Sequence, residues 1–112
     1  MCGQIYEKET ERYIGTKVLN NPEVKTVDCC CVIVHSSLLH NEKLRFDENL
    51  DFHMYVEDFC ITARKRKHIK TKICQFDCTH LSHGAHNEAL EVSAQYIKKK
   101  HNLFRISSTC HK

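Results

Sequence analysis

The feature that most constrains the fold is a stretch of β-branched residues and cysteines at residues 24–35, with the sequence VKTVDCCCVIVH. β-branched side chains are restricted in helices and pack well on a pleated sheet. A nearly continuous run of this kind is typical of a strand that is buried on both faces. Its three consecutive cysteines, residues 29–31, fit such a strand as small buried apolar side chains. We therefore expect residues 24–35 to form an interior strand.

An amphipathic helix is predicted in the middle of the chain. Four apolar residues there follow the i, i+3, i+4, i+7 spacing of one helix face: Val56, Phe59, Cys60 and Ala63. The pattern predicts a helix running to about Lys67, with basic residues at 64–67. Cations are favoured at that end because it is the negative end of the helix dipole.

Three further elements are predicted from local patterns. Ser36 or Ser37 can cap a short helical turn that runs through residue 39. Residues 68–76 alternate apolar and basic side chains, which indicates a strand, and residues 87–104 have helical spacing. Residues 1–23 show only weak patterning and end in a turn signal at Pro22. Strands that alternate with helices favour an α/β layer architecture, and 112 residues suffice for a single domain.

The composition constrains the expected cellular location and binding partners of the protein. No run of 18 apolar residues occurs, and the first residues lack the apolar core of a secretory signal, so we expect a cytoplasmic protein. Its eight cysteines are then expected to be thiols. The net charge is +3, with basic runs at residues 64–72 and 98–101. Such runs attract phosphates or anionic membranes, although most are solvated helix faces.

Five carboxylates crowd the segment LRFDENLDFHMYVEDFC at residues 44–60. Acids in such a loop are explained by solvation or by the favourable N-terminus of the following helix. Glu57 and Asp58 are nevertheless notable, since adjacent residues on a helix project about 100° apart. One of them can pair within the protein while the other faces a cleft, where a carboxylate can act as a general base.

A second cluster contains thiols and imidazoles, the ligands that zinc prefers: Cys74, Cys78, His80, His83 and His86. The spacing differs from that of structural zinc sites. If the segment is a strand, Cys74 and His80 lie too far apart along one face to share an ion. A metal site that takes a single histidine from this segment and its other ligands from distant parts of the chain has less restrictive geometry.

Three motifs make the chain resemble a known family. VDCCCVIVHSSLL, LRFDENLDFHMYVEDFCITARKRK and CTHLSHG occur in this order within residues 24–100. They resemble the C-terminal half of bacterial family-2 glycosyltransferases of the GT-A fold, in which a strand precedes an FDE motif, an FHxYxxDFCxxA segment and a CxHxSxG motif. The resemblance implies an α/β chain with a partial GT-A-like sheet and flanking helices. It divides the chain into a lead-in at 1–23, an acceptor-side half at 24–104 and a tail at 105–112.

The implied activity is transfer of a sugar from a nucleotide-sugar donor to the hydroxyl of a glycan acceptor. By position, Asp58 is the first choice for the catalytic base and Glu57 the second. Asp47 and Glu48 match the FDE motif and are expected to order the loop under the acceptor site, with His53 also on the substrate side. His80 takes the place of a metal- or phosphate-facing histidine. The complete enzyme would use Mg²⁺ or Mn²⁺.

The chain departs from the family in one respect. No nucleotide-binding half precedes Val24, and no Asp-x-Asp sequence occurs. We therefore expect little activity from this chain alone. A half-fold is also expected to self-associate through an unpaired strand edge and to contact membranes peripherally. Nucleic acid is not an expected partner, because no aromatic residues are interleaved with the basic runs. The alternative interpretation is a small Cys/His zinc-binding or nucleic-acid-binding module.

Overall fold

The computed structural model describes residues 3–81 and 87–107. In chain order its elements are β1 (Gly3–Glu7), β2 (Arg12–Thr16), β3 (Glu23–Val24), α1 (Ser36–His40), α2 (Tyr55–Lys67), β4 (Thr71–Lys72), β5 (Thr79–His80) and α3 (Glu88–His101). The described residues thus form two small sheets and three helices, and the predicted mixed α/β class is confirmed.

The larger sheet has the strand order β2-β1-β5. The antiparallel pair β1–β2 places Ile5 opposite Ile14, and the rings of Tyr6 and Tyr13 meet edge to face with centroids 5.3 Å apart. β5 adds to the other side of β1 in parallel. The N-terminal segment, for which the sequence offered little pattern, therefore contains the longest strand pair of the described chain.

The predicted interior strand at residues 24–35 is wrong in extent and in burial. Only Val24 of this stretch lies in a strand, at the end of the two-residue β3, which pairs with β4. Cys29, Cys30 and Cys31 are exposed, and Ile33 is 85% exposed. The predicted strand at 68–76 is likewise reduced to the two residues of β4. β propensity yields a strand only where a second strand completes the hydrogen-bond ladder, and within residues 3–81 and 87–107 none pairs with 25–35.

The predictions for the two long helices are confirmed. α2 ends at Lys67, as expected, because His68 adopts a left-handed conformation with φ 55° and donates its N–H to the carbonyls of Ala63 and Arg64. α3 begins after Asn87, whose side chain accepts a hydrogen bond from the N–H of Leu90. It ends three residues before the predicted end, at a left-handed Asn102.

The short helix α1 forms, but its cap differs from the prediction. His35, rather than Ser36 or Ser37, is the N-cap residue, and its ring nitrogen Nδ1 accepts a hydrogen bond from the N–H of Ser37 at 3.2 Å. An unprotonated imidazole nitrogen is a hydrogen-bond acceptor, so it can cap the helix in place of the predicted serine hydroxyl.

Two small apolar clusters fix the helices and the loop between α1 and α2. Leu50 and Met54 of the loop pack with Ala94 and Ile97 of α3, and Ile97 is fully buried at 0% exposure. The second cluster joins three residues of the loop and α2: Leu44, Phe59 and Ala63. The loop is therefore anchored at both ends. In the part of the chain described, every helix is too short or too polar to cross a bilayer.

Candidate functional site

Asp58 lies in the first turn of α2 and is only 1% exposed. Its Oδ1 accepts a hydrogen bond from Nε2 of His101 at 2.6 Å, and its Oδ2 accepts one from Nζ of Lys100 at 2.9 Å. Both partners come from the last turn of α3. A buried carboxylate is costly unless it is paired and hydrogen-bonded, and both oxygens of Asp58 are.

Lys100 connects this carboxylate to a second one in the loop before α2. Its Nζ lies 2.6 Å from Oδ2 of Asp47, and the hydroxyl of Tyr96 donates to the same oxygen at 2.9 Å. The other oxygen, Oδ1, accepts hydrogen bonds from the backbone and side chain of Asn49, both at 2.9 Å. Asp47 therefore connects the loop before α2 to the last turns of α3.

The charges of this network stabilise one another. The hydrogen bond from Lys100, followed by the one from the Asn49 backbone, holds the pKa of Asp47 well below its usual range. Burial acts to lower the pKa of Lys100, but its hydrogen bonds to Asp47 and Asp58 outweigh that effect and raise it. A permanently charged ammonium therefore lies between two carboxylates. We call Asp47, Asp58, Tyr96, Lys100 and His101 the bridged carboxylate network.

Glu57 is also buried, at 4% exposed, and faces a different part of the molecule. Partial burial raises the pKa of the Cys29 thiol, and the negative charges of Asp28 and Glu57 add to this effect. Glu57 therefore lies close to the segment that follows β3. The adjacent acids project in different directions, as their positions on a helix require.

The remaining residues expected on the substrate side do not join the network. Glu48 is exposed to solvent. His53 is half-buried, and its ring meets that of Phe52 edge to face with centroids 4.8 Å apart. Of the three residues assigned to this side by position, the structure brings only Asp47 next to Asp58.

His80 lies in β5, opposite Glu7 of β1, and its carbonyl accepts a hydrogen bond from the N–H of Lys8 at 2.8 Å. Its side chain is half-buried. Within residues 3–81 and 87–107, no group of three or more His, Cys, Asp or Glu side chains could hold a metal ion. His83 and His86 of the predicted Cys/His cluster lie outside the described residues.

An apolar cavity of about 480 Å³ lies elsewhere in the molecule. It is bounded by the segments 27–35 and 69–76 and by Phe59 and Cys60 of α2, and its lining does not include Asp58, Lys100 or His101. Cys30 lies in its wall. The residue is exposed overall, but partial burial of its thiol, with the nearby charge of Asp28, raises the pKa of the thiol to about 11. A thiol of such high pKa is protonated at neutral pH and is a poor nucleophile.

The sequence interpretation did not select Tyr96, Lys100 or His101. The basic run at the end of α3 was interpreted as a solvated helix face or as a segment that attracts phosphates or anionic membranes. One signal was available: Tyr96 and Lys100 are four residues apart and so share a helix face. Their partners, however, are 42 to 53 residues away in sequence. Comparisons with protein-family models, curated proteins and solved structures found no match to this chain.

Proposed function

We propose that this chain forms the acceptor side of a glycosyltransferase that transfers a sugar from a nucleotide-sugar donor to a glycan hydroxyl, with Asp58 as the general base. The observation that carries the proposal is the position of Lys100 Nζ, 2.6 Å from Asp47 and 2.9 Å from Asp58. Asp47 belongs to the FDE motif and Asp58 to the FHxYxxDFCxxA segment. Two motifs selected from the sequence alone thus converge on one cation, as expected if they serve one site.

The arrangement supports base chemistry because Lys100 has two carboxylate partners. It can release Oδ2 of Asp58 to an approaching hydroxyl while it stays paired with Asp47. Meanwhile His101 holds Oδ1 of Asp58 in place. Lys100 has a side chain that is 32% exposed, so this release would open the buried carboxylate toward solvent.

In the proposed step, Oδ2 of Asp58 accepts the proton of the acceptor hydroxyl. The acceptor oxygen then forms a bond to the anomeric carbon of the donor. The bond from that carbon to the diphosphate oxygen breaks, and the diphosphate leaves with the electron pair. General-base assistance of this kind typically contributes 10²–10⁴-fold to a rate.

The described residues do not supply ligands for the divalent ion that the family resemblance implies. No Asp-x-Asp sequence is present, and no group of three or more ligating side chains lies within the described ranges. No step is therefore derived through a metal ion. The proposal places that ion with the donor, outside the described residues.

The acceptor part of the proposal is tested by NMR on the 112-residue chain with a panel of neutral and acidic oligosaccharides. We expect at least one saccharide to shift the amide resonances of residues 44–58 and 96–101. Binding that shifts other regions, or no binding at millimolar concentrations, would contradict the acceptor site.

The base assignment is tested with labelled nucleotide sugars on a complete enzyme, in which a donor-binding half accompanies this chain. Asp58→Asn keeps the size of the side chain, although it replaces one acceptor oxygen with an NH2 donor, and it cannot accept the proton at neutral pH. Turnover should therefore fall by at least about 100-fold while saccharide binding persists. Asp51→Asn, at an exposed acid of the same loop, is the matched control and should leave both unchanged. Full turnover in Asp58→Asn would exclude Asp58 as the base.

A further inference from the structure

The C-terminal end of α3 is rich in basic residues, with lysines at 98–100. Other cations of the helices are neutralised: Arg64 pairs with Glu23 at 3.0 Å, and Lys67 pairs with Glu42 at 2.7 Å. Lys100 is held by the bridged carboxylate network. Five further cations have no ion pair recorded within the described ranges: Lys65, Arg66, Lys98, Lys99 and Arg105. We call these five residues the basic surface.

The fold brings the basic surface together from two helices. Nζ of Lys65 donates a hydrogen bond to the carbonyl of His101, so the last turn of α2 lies against the end of α3. The chain then turns back sharply, because the N–H of Leu103 donates to the carbonyl of Lys98 at 2.8 Å. Arg105 follows two residues later. Residues that are up to 40 positions apart in sequence therefore share one end of the molecule.

The negative ends of the helix dipoles neutralise only part of the positive charge of the basic surface. Each helix C-terminus is equivalent to roughly half a negative charge. The two ends that meet here thus offset about one of the five positive charges. The bridged carboxylate network, with two carboxylates and the Lys100 ammonium, offsets about one more, so the surface keeps a net positive charge. Such a surface attracts a polyanion.

The exposure of Phe104 helps to distinguish between kinds of polyanion that could bind this surface. Its side chain is 99% exposed and lies directly before Arg105 of the basic surface. An aromatic side chain fully in water is unfavourable unless a partner covers it. Basic residues around an exposed Phe are typical of segments that bind the interface of an anionic membrane. Nucleic-acid surfaces that stack bases interleave several aromatic residues with their basic residues, which is not the case here.

We propose that the basic surface and Phe104 dock this protein on an anionic phospholipid membrane. The cations lie against the lipid headgroups, and Phe104 inserts between the headgroups at the boundary with the acyl chains. This proposal depends only on the surface and not on sugar transfer.

The test is co-sedimentation of the 112-residue chain with vesicles of phosphatidylcholine alone and of phosphatidylcholine mixed with phosphatidylserine. We expect binding to the mixed vesicles only, weakening as salt is added. Each cation near an anionic surface strengthens partitioning by about fivefold, so Lys98→Gln combined with Lys99→Gln should weaken it about 25-fold. Phe104→Ser should weaken it about tenfold, because the inserted apolar surface is lost.

The matched controls remove the same charge and the same kind of exposed apolar side chain elsewhere. Lys17→Gln combined with Lys25→Gln, and separately Leu19→Ser at a 77% exposed leucine, should leave vesicle binding within about twofold of the original. Equal losses in the controls and the test variants would overturn the proposal, since binding would then reflect net charge alone. Equal binding to both vesicle types would also overturn it. Failure to bind vesicles would overturn the proposal as well. Tight binding to a DNA or RNA duplex that is lost in the Lys98→Gln, Lys99→Gln variant would then identify nucleic acid as the ligand of the basic surface.

Discussion

Nε2 of His101 lies 2.6 Å from Oδ1 of Asp58, although the two residues are 43 positions apart in the chain. Both side chains are almost fully buried, at 7% and 1% exposed. The pair ties the first turn of α2 to the last turn of α3, and Lys100 extends it to the loop at Asp47. The bridged carboxylate network is thus both the candidate site and a structural connection between three segments.

Lys100→Met should destabilise the protein by about 2 kcal/mol, because Asp58 would keep only one partner in a nearly water-free position. The measurement is urea unfolding followed by circular dichroism at neutral pH. Lys99→Met, at the exposed neighbouring lysine without an ion pair, is the matched control and should change stability by less than about 0.5 kcal/mol. Equal effects of the two variants would show that the Lys100 contacts contribute nothing.

Asp47→Asn should make stability less dependent on pH in the acid range. The folded-state pKa of Asp47 is lowered, chiefly by Lys100, relative to about 3.9 in an unfolded chain. Its stabilising contribution is therefore complete above that value and is lost as the pH falls through the folded-state pKa. We expect the variant to be less stable than the original chain at pH 7, with the difference narrowing below about pH 4.

The check is the thermal midpoint of both proteins across that pH range. Asp51→Asn should show no such narrowing difference, because the exposed Asp51 carboxylate has no partner recorded among residues 3–81 and 87–107. A constant difference between Asp47→Asn and the original chain at every pH would mean that its effect is not electrostatic.

His68→Gly should stabilise the protein by about 1 kcal/mol. His68 is exposed and ends α2 with φ 55°, a left-handed conformation that disfavours residues with a Cβ and suits glycine. Arg66→Gly, two residues earlier within the helix, should instead destabilise by up to about 1 kcal/mol, since glycine is a poor helix former there. Thermal unfolding of both variants distinguishes the two positions, and destabilisation by His68→Gly would contradict the conformational argument.

Ile97→Ala should cost about 3 kcal/mol. Ile97 is 0% exposed and packs on Leu50 and Met54, so the truncation leaves a cavity beneath the loop. Val92→Ala, on the exposed face of the same helix, should cost no more than about 0.5 kcal/mol. Chemical unfolding measures both, and similar losses would mean that the loop is not anchored through Ile97.

The helices were predictable because their signals are local. The apolar spacing around Phe59 and the helical spacing over residues 87–104 each act within a few residues, and both α2 and α3 form where these signals lie. The strand prediction for residues 24–35 was wrong because its signal is not sufficient locally. The apolar run has a high β propensity, but a strand forms only where a neighbouring strand pairs with it. The hairpin of β1 and β2 was not predicted, since its strands carry few apolar residues in alternation.

The sequence by itself determined that two long helices form and that α2 ends near Lys67, and it placed Glu57 and Asp58 on different sides of α2. It also marked Asp47 and Asp58 as residues of separate motifs. Only the tertiary structure decided that Asp58 pairs with His101, that Lys100 bridges it to Asp47, and that cations from α2 and α3 form one surface. The physical reason is distance along the chain. Helix propensity and capping act between near neighbours, whereas these ion pairs form only after packing around Ile97 has brought the end of α3 against the loop and α2.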